Sequence, residues 1–213
     1  MALVRRVANL TRFEAASMQQ SNNLKQVILG VHNFHSVHQS LPPRMTVSEK
    51  NAPLLSWRVF LLPYIDQQAL YDSFHLDEPW DSPHNLTLVD RIPVAYQSLQ
   101  FPDLERGQTL VQMPLSPGSA WGGTANRMLT FQDITDGTSS TICFVVAPKD
   151  KAVTWTKPDD LSLGENLIQG LFGDRESCEY ANFDGSVQVL PNTVEATELK
   201  AMLTHAGGEV LKR

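Results

Sequence analysis

Three of the six histidines in the chain, His32, His35 and His38, stand three residues apart in "NNLKQVILGVHNFHSVHQSLPP", residues 22–43. On a helix that spacing puts imidazoles on adjacent turns, where two of them could ligate a metal such as zinc. A zinc centre needs three or four converging ligands, with acceptors behind the free ring nitrogens. No Cys, Asp or Glu lies close enough in sequence to complete that set. Histidines near a helix C-terminus also interact favourably with its dipole and its last carbonyls. The three are therefore read as structural, half-buried and hydrogen-bonded.

A second cluster is "HLDEPWD", where Asp77, Glu78 and Asp81 surround Trp80. An acidic and aromatic surface of this kind can hold a sugar or a cation, and Trp121 in "GSAWGGT" offers a second ring. These five residues are the ligand-binding candidates, against the plainer reading of an exposed loop with a tucked tryptophan. Asp174 and Asp184 are candidates for a calcium site, although two carboxylates fall short of the usual ligand number. "GSAWGGT" lacks the lysine of a phosphate-binding loop and no helix pattern follows it. "DGTSST" at 136–141 lacks the G-x-S-x-G of a nucleophile elbow, so its hydroxyls are assigned to turn backbone. Nothing assembles a nucleophile, a base and an oxyanion donor. No catalytic residue is nominated, no cofactor is called for, and the chain is expected not to be an enzyme.

The elements that must position these residues begin with a helix. From Leu3 to about residue 38 there is no proline, and Gly30 alone interrupts the helix formers. Leu3, Val7, Leu10, Phe13, Leu24, Val27, Ile28, Val31 and Phe34 keep to one stripe at ~3.6 residues per turn, with Ser17, Gln20 and Ser21 making its middle polar. The pattern predicts one rod of about 35 residues and ~50 Å, with its N-terminal half projecting or meeting a partner. "LPPR" at 41–44 ends it. "SWRVFLLPYIDQQALYDSF" predicts further helix around Pro63, and "DSPHNLTLVDR" a short helix with Ser82 as N-cap and Pro83 at its first position.

After residue 93 the texture changes to short β-branched runs: "TLVQM", "RMLTF", "TICFVVA" and "SVQVL". They predict strands of an antiparallel sheet, with turns at Asp136-Gly137 and Asp184-Gly185. Asn192 and Glu195 predict a capping box for a last helix over 193–205, ended by Gly207-Gly208. The fold class is α+β: a helix over 1–40, then a globular domain over 41–213.

At 213 residues with 42% hydrophobic and 19% charged content, the composition is that of an ordinary globular protein. A net charge of −6 excludes a nucleic-acid binder, because only Arg5, Arg6 and Arg12 form a basic cluster. No apolar run reaches the ~20 residues needed to span a bilayer, and "MALVRRVANLTRF" has no secretory h-region. Cys143 and Cys178 lack metal-type spacing, and whether they pair stays open.

"SNNLKQVILGVHNFHSVHQSLPP", "SWRVFLLPYIDQQALYDSFHLDEPWDSPHN", "ITDGTSSTI", "AVTWTKPDDL" and "FDGSVQVLP" occur in order along nearly the whole chain, from about Phe13 to Glu209. Together they resemble a planctomycete-type family of unknown function related to the type II secretion pseudopilins and labelled as transporter or solute-binding. The resemblance implies a pilin-like fold: a long N-terminal helix on an antiparallel sheet with added short helices. It also implies a structural or interaction role in the bacterial cell envelope.

Two departures from that family matter. "MALVRRVANL" stands where its members carry a membrane-inserting segment, so membrane association is expected only with an apolar helix upstream. Gln20 occupies the family's cysteine, and Asp174 the place of a histidine that precedes the family's Asp-Gly. Three functional classes follow as expectations. The first is a non-enzymatic module that pairs with a protein or with itself through the N-terminal helix. The others are a binding module for a small ligand, peptide or glycan, and, last, a metal-dependent hydrolase.

Overall fold

Helix α1 (Ala2–His38) forms because nothing in 37 residues opposes it. Gly30 sits where the helix runs closest to a 3₁₀ segment at Leu62–Ile65; a Cβ there would lie 2.7 Å from Ile65 Cγ2. The helix ends at Gln39, whose φ of 56° is left-handed and whose N–H bonds the His35 carbonyl at 2.8 Å, and the two prolines prevent its resumption. These details come from a computed structural model describing residues 2–98, 100–122 and 128–208, with side chains from Glu14 onward. Leu3, Val7, Leu10 and Phe13, the basic Arg5, Arg6 and Arg12, and Gly123-Thr124 of the glycine-rich loop lie outside those described side chains. So does the expected projection of the upstream half of the helix.

The other elements follow in chain order: β1 (Met45–Val47), β2 (Pro53–Ser56), α2 (Trp57–Phe60), α3 (Gln68–Tyr71), β3 (Gln108–Thr109), β4 (Val111–Gln112), β5 (Pro114–Leu115), β6 (Ile142–Val146), β7 (Val153–Thr154), β8 (Leu161–Ser162), α4 (Leu167–Phe172), β9 (Ser177–Asn182), β10 (Val187–Pro191) and α5 (Ala196–Leu203). The main sheet is antiparallel in the order β10-β9-β6-β4. β1 pairs with β2 and β3 with β7, both antiparallel, while β5 and β8 add a small parallel pair.

The sheet is covered on both faces. Leu24, Val27, Ile28, Val31 and Phe34 of α1 are buried with Phe144, Val146, Ala181 and Phe183 on one side. Val145, Cys178, Tyr180 and Leu190 meet α4 and α5 on the other, through Leu171, Phe172, Leu199 and Met202. A register shift between Ile142 and Phe144 puts Cys143 and Phe144 in the same core, as a bulge does by adding one residue to a period of two. The architecture is α+β, a long first helix laid on an antiparallel sheet with short helices around it.

Several local expectations are corrected. "RMLTF" is not a strand over its described residues: Thr130 and Asp133 form a capping box, and Phe131–Asp133 is 3₁₀. Ser82 accepts the Asn85 N–H at 3.2 Å, but the regular run that follows, Asn85–Arg91, is 3₁₀ and its N-cap is His84. The Asn192–Glu195 capping box does not form, since Asn192 Nδ2 donates to the Arg175 carbonyl and Glu195, without a side-chain bond, is the N-cap of α5. That helix stops at Leu203 because Thr204 turns extended and bridges Ser119. Gly207 and Gly208 instead donate their N–H groups to the Asp136 carboxylate. β9 carries none of the β-branched runs that mark the strands in the sequence.

Candidate functional site

The end of α1 brings each of the three imidazoles onto aromatic rings. His32 stacks on Phe131 at 4.7 Å, and its Nε2 is 2.8 Å from the Phe183 carbonyl. His35 meets the same Phe131 at a tilt. His38 stacks on Phe34 at 4.2 Å and shares a 2.7 Å hydrogen bond with the Tyr64 hydroxyl. Phe131 owes its place to the Thr130–Asp133 box, so the misread segment is what seats two of the histidines. Among the described residues no three His, Cys, Asp or Glu side chains stand close enough to hold a metal ion.

The acidic loop is held together by a local network. Buried Asn85 ties it down, accepting from His75 N–H and donating to the carbonyls of His75, Glu78 and Pro79. Hydrogen bonds from Ser82 and then His75 hold the Glu78 carboxyl below its ordinary range, and the His75 ring stacks on His84 at 3.6 Å. Trp80 is half-buried: its N–H bonds the Leu54 carbonyl, and Lys157 Nζ lies 5.9 Å from its ring centre. Asp77 faces a cleft of about 650 Å³ beside the β1–β2 hairpin, together with Thr46, Glu49, Lys50 and Leu76. Asp81 is exposed.

Trp121 is elsewhere. It is 6% exposed, donates to the Cys143 carbonyl at 2.8 Å, and packs against Phe144 and Phe183 in the α1-facing core. The structure brings Asp77, Glu78 and Trp80 into one loop and does not bring Trp121 to them. Asp174 is exposed, whereas Asp184 serves the β9–β10 turn by accepting from Ser186 N–H and Oγ.

Two polar groupings were not found from sequence. Arg58 and Asp160 form a fully enclosed ion pair. Glu179, in the middle of β9, points at α1 and is 8% exposed; it accepts from Ser17 Oγ at 2.6 Å and Gln100 Nε2 at 3.2 Å. The polar break at Ser17 and Gln20 in the helix stripe was the available signal for the second. Burial pushes the Glu179 carboxyl up, with the Ser17 and Gln100 bonds opposing.

The class defined by this arrangement is an α+β protein built on one long helix. A family model described as a protein of unknown function (DUF1559), with the label SBP_bac_10, matches residues 12–100, fewer than half of the 213. The chain is similar to that family from the first third of α1 through the histidine row and the acidic loop. No curated protein and no solved structure matches. Among the described residues no helix is long and apolar enough to cross a membrane.

Proposed function

We propose that the chain is a non-enzymatic, pseudopilin-like interaction module of the bacterial cell envelope, with α1 as the element that meets a partner or a second copy. The observation that carries this reading is the length of α1 against the row it buries. The helix has 37 residues, about 55 Å at 1.5 Å per residue. Among the described side chains, from Glu14 onward, its buried apolar row runs from Leu24 to Phe34, about 15 Å. Upstream of that row Glu14, Ala15 and Met18 are exposed, Met18 by 69%. A helix with one end seated on a sheet and the apolar Met18 side chain left open upstream of that seat is suited to helix-to-helix assembly.

Burial also raises the thiols of Cys143 and Cys178, the latter to about 11, so neither suits a nucleophile. The envelope location belongs to a form with a prepilin-type segment upstream of Met1, and the upstream gene sequence tests that part. Sedimentation velocity of the full chain up to millimolar concentration tests the rest. Self-association weakened by Met18→Glu is the expected result. A chain that stays monomeric throughout, and is indifferent to Met18→Glu, overturns pairing through this face.

A second reading has its own observation, the cleft between the β1–β2 hairpin and Asp77. A small ligand bound there would raise the melting temperature by mass action, and Asp77→Ala would remove the shift.

A further inference from the structure

Glu179 is an anomaly for a strand interior. β9 is an inner strand of the main sheet, and a carboxylate facing the α1-side core is costly unless its oxygens are satisfied. Oε1 takes both available donors, Ser17 and Gln100. Oε2 has no hydrogen-bond partner among the described residues.

Glu179 forms part of the wall of a cleft of about 500 Å³ between the middle of α1 and the β9–β10 hairpin. Its polar side also carries Ser17, Gln100 and Ser177, and its apolar side Phe101, Val146 and Val189. Val189 is the cross-strand partner of Glu179 and is 58% exposed, so an open apolar surface adjoins the buried carboxylate. Glu176 adds a second carboxylate. Among the described residues the one cation of the lining is Arg175, and its guanidinium donates to the carbonyls of Val146, Phe172 and Leu171. It stands as a wall of the cleft, held by the backbone.

From the unpartnered oxygen, the two carboxylates and the apolar side, we infer that this cleft binds a primary ammonium group carried on an aliphatic stem. An ammonium brings three donors and a charge. It can give Oε2 the bond it lacks and replace the 3.2 Å amide bond of Gln100 by a shorter, charge-assisted one. Gln100 is the group that swings aside. The methylenes of the stem lie along Phe101 and Val189, as lysine stems lie along apolar surface. An anion is disfavoured by both carboxylates, and two carboxylates are too few for a hard divalent cation. The ammonium can come from a lysine side chain of a protein or from a free alkylamine.

The test is a ¹H–¹⁵N NMR titration of the full chain with n-butylammonium and with Nα-acetyl-lysine N-methylamide, the norleucine counterpart serving as the uncharged control. Saturable shifts are expected at the amides of Ser177, Glu179 and Gln100 with both ammonium probes and not with norleucine. Glu179→Gln should weaken binding tenfold or more. Glu176→Gln, at an exposed position, should weaken it less, and it keeps the test informative if Glu179→Gln melts poorly. Tighter binding of the lysine diamide assigns the site to a peptide-borne lysine, and equal binding assigns it to a free amine. Shifts that do not saturate, or that norleucine reproduces, overturn the inference and leave Oε2 to a buried water.

Discussion

Arg58 and Asp160, 102 residues apart in the chain, meet at 2.9 Å with both side chains enclosed. Each brings further partners. Asp160 Oδ1 also accepts from Trp57 Nε1 and from the Met113 N–H. Arg58 donates to the Val111 carbonyl through Nε and Nη2, and to Ser56 Oγ and the Asp159 carbonyl through Nη1. Its guanidinium lies 4.6 Å from the centre of the Trp57 ring. The pair thus fastens α2 and β4 to the segment entering β8. Burial disfavours the charge on both groups, lowering Arg58 and raising Asp160, and each opposes the shift of the other.

Asp160→Asn should therefore be severe. It leaves a guanidinium enclosed without its counter-charge, which costs about 3–5 kcal/mol. The double replacement Arg58→Met with Asp160→Leu removes both charges and should lose clearly less than the single change. Urea unfolding of the three proteins measures this; a double variant as weak as Asp160→Asn would mean that hydrogen-bonded geometry, and not charge pairing, dominates.

Gly30→Ala tests the contact that seats α1. Alanine is the better helix former by about 1 kcal/mol in an exposed site, so propensity alone predicts stabilisation. The new Cβ would lie 2.7 Å from Ile65 Cγ2, and Ile65 is 2% exposed, so it has little room to withdraw. Overpacking of this kind costs about 1–3 kcal/mol. The variant should melt below the parent, and a higher melting temperature would show that the 3₁₀ segment shifts freely away from the helix.

Legibility in the sequence followed how local each cause is. The row Leu24, Val27, Ile28, Val31 and Phe34 could be read because a period of 3.6 needs no knowledge of the partner surface, and all five are buried. β6 could be read because its run of five is apolar on both faces, which are both covered. β9 could not: Glu179 and Asn182 are buried polar residues, hydrogen-bonded through Glu179 Oε1 to Ser17 and Gln100 and through Asn182 Nδ2 to Ser139 and Ser186, and they break the alternation that marks a strand. "RMLTF" misled because its β-branched and aromatic residues suit a strand, yet the Asp133 carboxylate bonds Thr130 and closes a turn. Among the candidates, the loop around Asp77 and Trp80 is contiguous and was visible. The Arg58–Asp160 pair and the Ser17–Glu179 contact depend on topology, as their members lie 102 and 162 residues apart.

Glu179 sets a pH dependence of known sign. Its carboxyl in the fold is raised by burial, so the fold binds a proton there more readily than the unfolded chain does. The stability this contributes is complete below the unfolded value, ~4.3 for glutamate, and is lost as pH rises through the folded value. Glu179→Gln imitates the protonated form. Its stability relative to the parent should be lowest at about pH 4 and should grow toward neutrality, measured as the difference in urea midpoints across that range. A difference constant with pH would mean that Ser17 and Gln100 offset burial completely.

The two thiols make the last prediction. Cys143 and Cys178 are free, 0% and 2% exposed, and lie on β6 and β9. Cys178 lies near the Val146 and Glu179 carbonyls, and its ionisation is pushed up to about 11 by burial, against the opposing charge of Arg175. Because the thiolate is the reacting species, a disulfide reagent at pH 8 should modify neither residue while the fold is closed. Labelling should then track opening: as urea is added, both thiols should become reactive together, at a rate proportional to the opened fraction when reclosing is fast. Separate kinetics would divide the molecule at the sheet, because Cys143 belongs to the core under α1 and Cys178 to the core under α4 and α5. Earlier reaction of Cys178 would mean that the α4–α5 layer lifts away before the long helix does.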